Sequence, residues 1–239
     1  MSVQPAAGRE AEIADGLARV RARLADACAA AGRPASDVRL VVVTKTFPAS
    51  DVEHVVRLGV TDLGESRDDE AAAKAVSLGE RSPDLRWHFL GQLQSRKARS
   101  VASYAATVQS VDRVRAADAL ATGAERADRV VEVLLQLSLD GDPDRGGVVA
   151  SGLLPLADHV AGLPGLRLGG LMAVPPRGID PREAFEQVLA QAARLRAAHP
   201  GAWTVSAGMS GDLEAAIAAG STMVRVGTAV FGHRQAMLR

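Results

Sequence analysis

The chain has 239 residues, 47% of them hydrophobic, and its 28 basic side chains balance 28 acidic ones. That composition supports one large core or two small ones. The zero net charge speaks against nucleic acid as a partner, since binding a phosphate backbone needs a basic excess. No apolar run reaches membrane-spanning length, residues 1–9 lack a signal-peptide core, and the one cysteine, Cys28, forms no internal disulfide. Together these predict a cytoplasmic protein that is not embedded in a membrane. Lysine occurs only at Lys45, Lys74 and Lys97, and asparagine is absent, a bias to be weighed wherever a motif position looks unusual.

Residues 1–9 read as a flexible N-terminus. Over 10–31, Ile13, Leu17, Val20, Leu24 and Cys28 recur at helical spacing, and Gly32 and Pro34 end the run. Residues 40–43, Leu-Val-Val-Val, read as a short buried strand, with Lys45 just past its carboxyl end. Ser50 and Glu53 have the spacing of a capping box and predict a helix from there to Gly59. Further strands are expected at 61–64, 86–90, 107–110, 130–138, 166–172, 203–206 and 223–226. Helical patterns fall between them, including a helix over 92–103 and one opened by Asp180, Pro181 and Glu183 as N-cap, first-position proline and early acid. Residues 140–147 have loop composition and read as a solvated loop or a lid. Eight strands alternating with helices predict a parallel sheet. At this length the prediction is a single-domain α/β fold over 1–239, a (β/α)8 TIM barrel with an extra N-terminal helix.

In such a barrel all strand carboxyl ends gather on one face, and a phosphate site is commonly built after strands seven and eight. Lys45 lies at that face. A partly desolvated amine there is a usable nucleophile toward an aldehyde, and a strand-end lysine reaching solvent is the plain alternative. After strand seven, Ser206, Gly208, Ser210 and Gly211 combine hydroxyls with bare backbone at a helix start; after strand eight, Gly227 and Thr228 do the same. Each loop alone is an ordinary capped turn, but the two together form a phosphate cup. A phosphorylated aldehyde satisfies both the lysine and the cup, and pyridoxal phosphate (PLP) is the natural candidate. If Arg225 faces the pyridine nitrogen, its fixed charge keeps that nitrogen unprotonated, which suits a holder or a racemase-like fold better than an aminotransferase.

The motifs Val43-Thr44-Lys45-Thr46, Leu63-Gly64-Glu65, Trp87-His88-Phe89-Leu90-Gly91-Gln92-Leu93-Gln94 and Gly170-Leu171-Met172 carry a resemblance. So do Gly208-Met209-Ser210 through Ile217, and Gly220 through Thr228, ending at Phe231-Gly232. On these the chain resembles the pyridoxal phosphate homeostasis family, barrels related to the N-terminal domain of alanine racemase, from about Ile13 to Gly232. The resemblance implies a PLP barrel of fold type III without the second β domain. It implies that Lys45 forms the aldimine, that Ser210, Gly227 and Thr228 hold the phosphate, and that Arg225 meets the ring nitrogen. Ser66, Met172 and Ser206 are implied to line the cofactor. It further implies a carrier that buffers PLP and delivers it to client enzymes without established catalysis. Two positions depart: the family has asparagine where this chain has Ser66, and again where it has Arg96. A chain without asparagine loses both by drift.

Two enzymatic readings compete. An amino-acid racemase needs a second base opposite Lys45; the only tyrosine, Tyr104, falls at a helix end. A Schiff-base aldolase on a sugar phosphate needs its lysine on a later strand. Without a second domain the chain is expected to be a monomer. His88, inside an apolar strand, reads as a buried, hydrogen-bonded histidine or as a side chain near the cofactor. His54, His159, His199 and His233 share no metal-ligand spacing. Arg96, Lys97 and Arg99 read as a solvated helix face or an anion or docking contact.

Overall fold

Eight parallel strands pair in chain order, and the last returns to the first to close a barrel. The computed structural model describes residues 6–79, 82–176 and 178–232. The strands are β1 (Arg39–Val43), β2 (Asp62–Glu65), β3 (Arg86–Phe89), β4 (Ala105–Val111), β5 (Val131–Leu137), β6 (Leu166–Ala173), β7 (Thr204–Ser206) and β8 (Met223–Val226). The helices are α1 (Ala6–Ala30), α2 (Ala49–Arg57), α3 (Asp68–Gly79), α4 (Ala98–Tyr104), α5 (Val114–Arg126), α6 (Leu153–Ala161), α7 (Pro181–Ala198), α8 (Leu213–Ala219) and α9 (Thr228–Phe231). Closure comes from β1, which sets Val43 opposite Gly64 of β2 and Val42 opposite Val226 of β8.

The period-two alternation of a strand sorts β1 between two environments. Val41 meets Leu134, Met172 and Met223, side chains from strands around the ring, so it faces the lumen. Val42 packs instead with Ile13, Leu17, Val52 and Val230 in the helical layer. The α1 stripe of Ile13, Leu17, Val20, Leu24 and Cys28 is buried as its spacing predicts. Fully burying side chains of this size stabilises by about 1.5–3 kcal/mol each. Close approach is part of that packing: a Cβ on Gly16 would stand 2.2 Å from the Val230 carbonyl oxygen of α9.

Several boundaries differ from the sequence reading. α1 begins at Ala6, so only residues 1–5 of the expected flexible N-terminus lie outside the described residues. The expected capping box does not form: α2 starts at Ala49 behind Pro48, which places Ser50 inside the first turn, and no side chain caps it. The helix expected over 92–103 is a 3-10 turn at Ser95–Lys97 followed by α4. The Asp180 cap does form, its carboxylate accepting from the Arg182 N–H at 2.7 Å. The 140–147 loop is exposed at its tip, yet Arg145 bonds the Val174 carbonyl and the Gly147 N–H bonds Asp112, tying it across the ends of β4 to β6.

Candidate functional site

Lys45 is exposed in the turn that follows β1. Its two neighbours are held tightly. The Thr44 N–H bonds the Gly64 carbonyl at 2.9 Å, and the Thr44 hydroxyl donates to Glu65 Oε1 at 2.8 Å. Thr46 has φ +69°, a left-handed conformation that is strained for a β-branched residue, and its N–H donates to Glu70 Oε2 at 3.0 Å. Behind this turn stands a group the sequence reading passed over. Lys74 of α3 is buried, donates to the Thr44 carbonyl at 2.9 Å and pairs with Glu65 Oε1 at 2.5 Å. The signal was available: Lys74 shares the buried face of α3 with Ala71 and Leu78, at helical spacing.

The loops after β7 and β8 meet beside this turn. Thr228 Oγ1 donates to Ser210 Oγ at 3.2 Å, so the two expected cup hydroxyls converge. Gly227 passes close to the end of β1; a Cβ there would lie 3.0 Å from the Val43 carbonyl oxygen. One detail differs from expectation: α8 starts at Leu213, so Ser210 stands in the turn before it rather than at the helix itself. That turn is pinned from outside by Arg23 of α1, which donates to the Ser210 carbonyl at 3.1 Å while pairing with Glu214.

Arg225 is buried. Its Nη1 donates to the Ser206 carbonyl at 2.7 Å and to Ser206 Oγ at 2.6 Å, and its Nη2 to the Ala173 carbonyl at 2.9 Å. Among the described residues no carboxylate forms an ion pair with it. Burial pushes the guanidinium down to about 10, partly opposed by Asp212, so it still carries its charge at neutral pH. Met172 is buried in the luminal layer and sits opposite Ser206 in the sheet register. Ser66 is half-buried just past β2, its backbone packed against Gly91. The structure thus groups Lys45, Ser210, Gly227 and Thr228 at one end of the barrel, with Ser206 and Arg225 on the strands leading to it.

The remaining candidates are accounted for elsewhere. His88 is buried and fully hydrogen-bonded, to Asp62 and Gln109. Tyr104 ends α4 and donates to Asp68 at 3.3 Å; burial first, then the Asp68 charge, push its phenol upward, so it stays protonated. Lys97 pairs with Asp68 and Asp69, and Arg96 bonds Gln94. His54, His159 and His199 pair with separate acids, and His233 lies outside the described residues.

The profile of the alanine racemase N-terminal domain matches residues 16–235, which defines the class as the racemase-type barrel. Within that class, the chain belongs to the pyridoxal phosphate homeostasis protein family. The family's Corynebacterium glutamicum member is 46% identical over 209 residues, covering 84% of this chain and 93% of that protein. Two solved structures are similar. An unknown protein from Bifidobacterium adolescentis superposes with a TM-score of 0.89 at 32% identity, covering 96% of this chain and 98% of the other. PipY of Synechococcus elongatus, solved with PLP bound, superposes with a TM-score of 0.81 at 33% identity, covering 92% of this chain and 100% of the other. In the described residues no helix is long and apolar enough to cross a membrane.

Proposed function

We propose that this protein binds pyridoxal 5′-phosphate at the carboxyl ends of β1, β7 and β8 and acts in intracellular PLP homeostasis, buffering the cofactor and delivering it to client enzymes. The observation that carries the reading is an exposed amine, Lys45, just past the end of β1 that Gly227 approaches, next to the loops bearing the Ser210–Thr228 hydroxyl pair, with a buried arginine on β8 that forms no ion pair among the described residues. PLP brings an aldehyde, a dianionic phosphate and a pyridine ring, and this donor set matches all three.

Lys45 would hold the cofactor through its aldehyde, which is the chemistry an exposed amine at this position can engage. Ser210, Thr228 and the Gly227 backbone hold the phosphate. Arg225 would present a fixed positive charge to the ring nitrogen, which would keep a proton off it and weaken the ring as an electron sink. Ser66, Met172 and Ser206 complete the lining. The reading is non-catalytic because a racemase needs a second base facing Lys45, and Tyr104 is engaged with Asp68 in the helical layer. A monomer is part of the proposal, and sedimentation showing a stable dimer counts against it.

The test is the visible spectrum of the protein with PLP, beside Lys45→Ala, before and after borohydride. The expected result is a yellow band in the parent alone, fixed by reduction. No band in either protein removes the cofactor and returns the cup to sugar phosphates. A full band in the variant removes Lys45. D/L exchange of alanine by the loaded parent overturns the non-catalytic reading.

A further inference from the structure

A single file of hydrogen bonds crosses the barrel lumen from Arg225 to Asp62. Arg225 Nη1 donates to Ser206 Oγ at 2.6 Å, and Ser206 Oγ donates to Gln109 Oε1 at 2.6 Å. Gln109 Nε2 is 2.9 Å from His88 Nδ1, and His88 Nε2 is 2.8 Å from Asp62 Oδ1. β4 and β7 are not neighbours in the sheet, so the Gln109–Ser206 bond spans the interior. All five side chains are buried.

The chain has one direction, set by the chemistry of its ends. A guanidinium only donates and a carboxylate only accepts. Asp62 is ionised and also takes a two-pronged contact from Arg86, at 3.1 and 2.7 Å, so the proton between His88 and Asp62 sits on His88 Nε2. With the hydrogen on Nε2, Nδ1 is the ring's acceptor, and the Gln109 NH2 faces it at 2.9 Å. The second amide hydrogen has a partner as well, Met223 Sδ at 3.1 Å. Gln109 Oε1 is left facing Ser206 and accepts from its hydroxyl, and the Ser206 oxygen accepts in turn from Arg225. If the Gln109 amide turned over, its NH2 would face Ser206 and the serine hydroxyl would lose the oxygen it donates to, while the amide oxygen would face His88 Nδ1.

We propose that His88 and Gln109 are positioning residues that act through Ser206 to fix the orientation of Arg225 toward a bound cofactor ring. The inference rests on the PLP reading above for its purpose, but the chain itself is a property of the protein alone. Arg225 depends on it because Ser206 Oγ is the one side-chain atom among its three acceptors, the other two being the backbone carbonyls of Ser206 and Ala173, and none is charged. Conventional packing explains why luminal polar groups are paired; it does not by itself require every donor to point the same way.

The test combines the unliganded and the loaded protein. In 15N-resolved NMR of the unliganded protein, His88 is expected as the Nε2–H tautomer, and His88→Leu and Gln109→Leu are expected to shift the Arg225 side-chain resonances. His88→Gln, whose amide can accept from Gln109 and donate to Asp62, is expected to restore them. With PLP, the two leucine variants are expected to move the visible maximum and to raise Kd roughly tenfold, as loss of one buried hydrogen bond does, while His88→Gln stays near the parent. A proton on His88 Nδ1 overturns the proposal, and so do leucine variants that fold and leave the Arg225 resonances, the band and Kd unmoved. If either leucine variant fails to fold, Gln109→Met, which keeps the side-chain length, is read in the same way. A parent without a visible band overturns the cofactor reading and is told apart from failure of the chain by the unliganded spectra.

Discussion

Lys74 of α3 donates to the carbonyl oxygen of Thr44 at 2.9 Å, which places a buried ammonium directly behind the residue that precedes Lys45. The same ammonium pairs with Glu65, whose second oxygen, Oε2, is buried with no hydrogen-bond partner among the described residues. The exposed lysine is therefore carried on a turn whose far side is held by another lysine.

Removing one member of this pair leaves the other charge buried. Lys74→Met is expected to destabilise the protein by about 3–5 kcal/mol, because the Glu65 carboxylate keeps only the Thr44 hydroxyl. The double variant Lys74→Met/Glu65→Leu is expected to recover most of that loss, since neither charge then remains. Urea denaturation of the three proteins checks this; a single variant within 1 kcal/mol of the parent removes the pair from the account of how Lys45 is held.

Thr46 stores strain next to the reactive amine. Asparagine tolerates the left-handed region better than a β-branched residue does, and Thr46→Asn keeps the N–H that bonds Glu70. It is expected to raise stability by about 1 kcal/mol, read as a higher Tm. An unchanged or lower Tm shows that the side chain of Thr46 contributes more than its backbone conformation costs.

The cup depends on one glycine more than on its neighbour. Gly208 has φ +99°, and a Cβ there would sit 2.5 Å from the Ala216 Cβ of α8. Gly208→Ala is expected to displace the loop carrying Ser210 and to cost about 1–3 kcal/mol of stability, along with phosphate affinity. Gly211 has open space at the Cβ position and no positive φ, so Gly211→Ala is expected to bind as the parent does. Calorimetric titration with PLP separates the two; equal losses in both place the effect in the loop as a whole.

Asp62 gives the fold an acid limit. Burial alone would raise its carboxyl, but hydrogen bonds from His88 and Arg86 outweigh burial and hold it at about 2, below its ordinary 3.8. A carboxyl depressed in the folded state contributes stability above its unfolded value, and that stability is lost as pH falls through the folded value. The loss from Asp62 is therefore expected between about pH 4 and pH 2. Urea midpoints across that range are expected to fall less steeply in Asp62→Asn than in the parent, and parallel curves exclude Asp62 as a contributor.

Much of the architecture was legible because a barrel repeats one local pattern. The apolar run at β1, the N-cap of α7 at Asp180 and the Met223–Val226 strand all follow from short-range chemistry, and the α1 stripe from its period. The failures are local too. The Ser50–Glu53 spacing suited a capping box, but the helix had already begun behind Pro48. Around residues 92–97 the polar run hid a 3-10 turn, whose bonds span one residue fewer than a helix pattern assumes.

By itself the sequence determined which side chains reach the carboxyl ends of the strands, because strand length and alternation fix that from the order of residues along the chain. Lys45, Ser210, Gly227 and Thr228 were readable as lying past strand ends, and Arg225 as a residue within β8. Only the tertiary structure decided which buried groups stand behind them. The Lys74–Glu65–Thr44 cluster and the Arg225–Ser206–Gln109–His88–Asp62 file join residues distant in sequence. Their direction comes from which atom of each side chain can donate and which can only accept once closure of the barrel has brought them within reach.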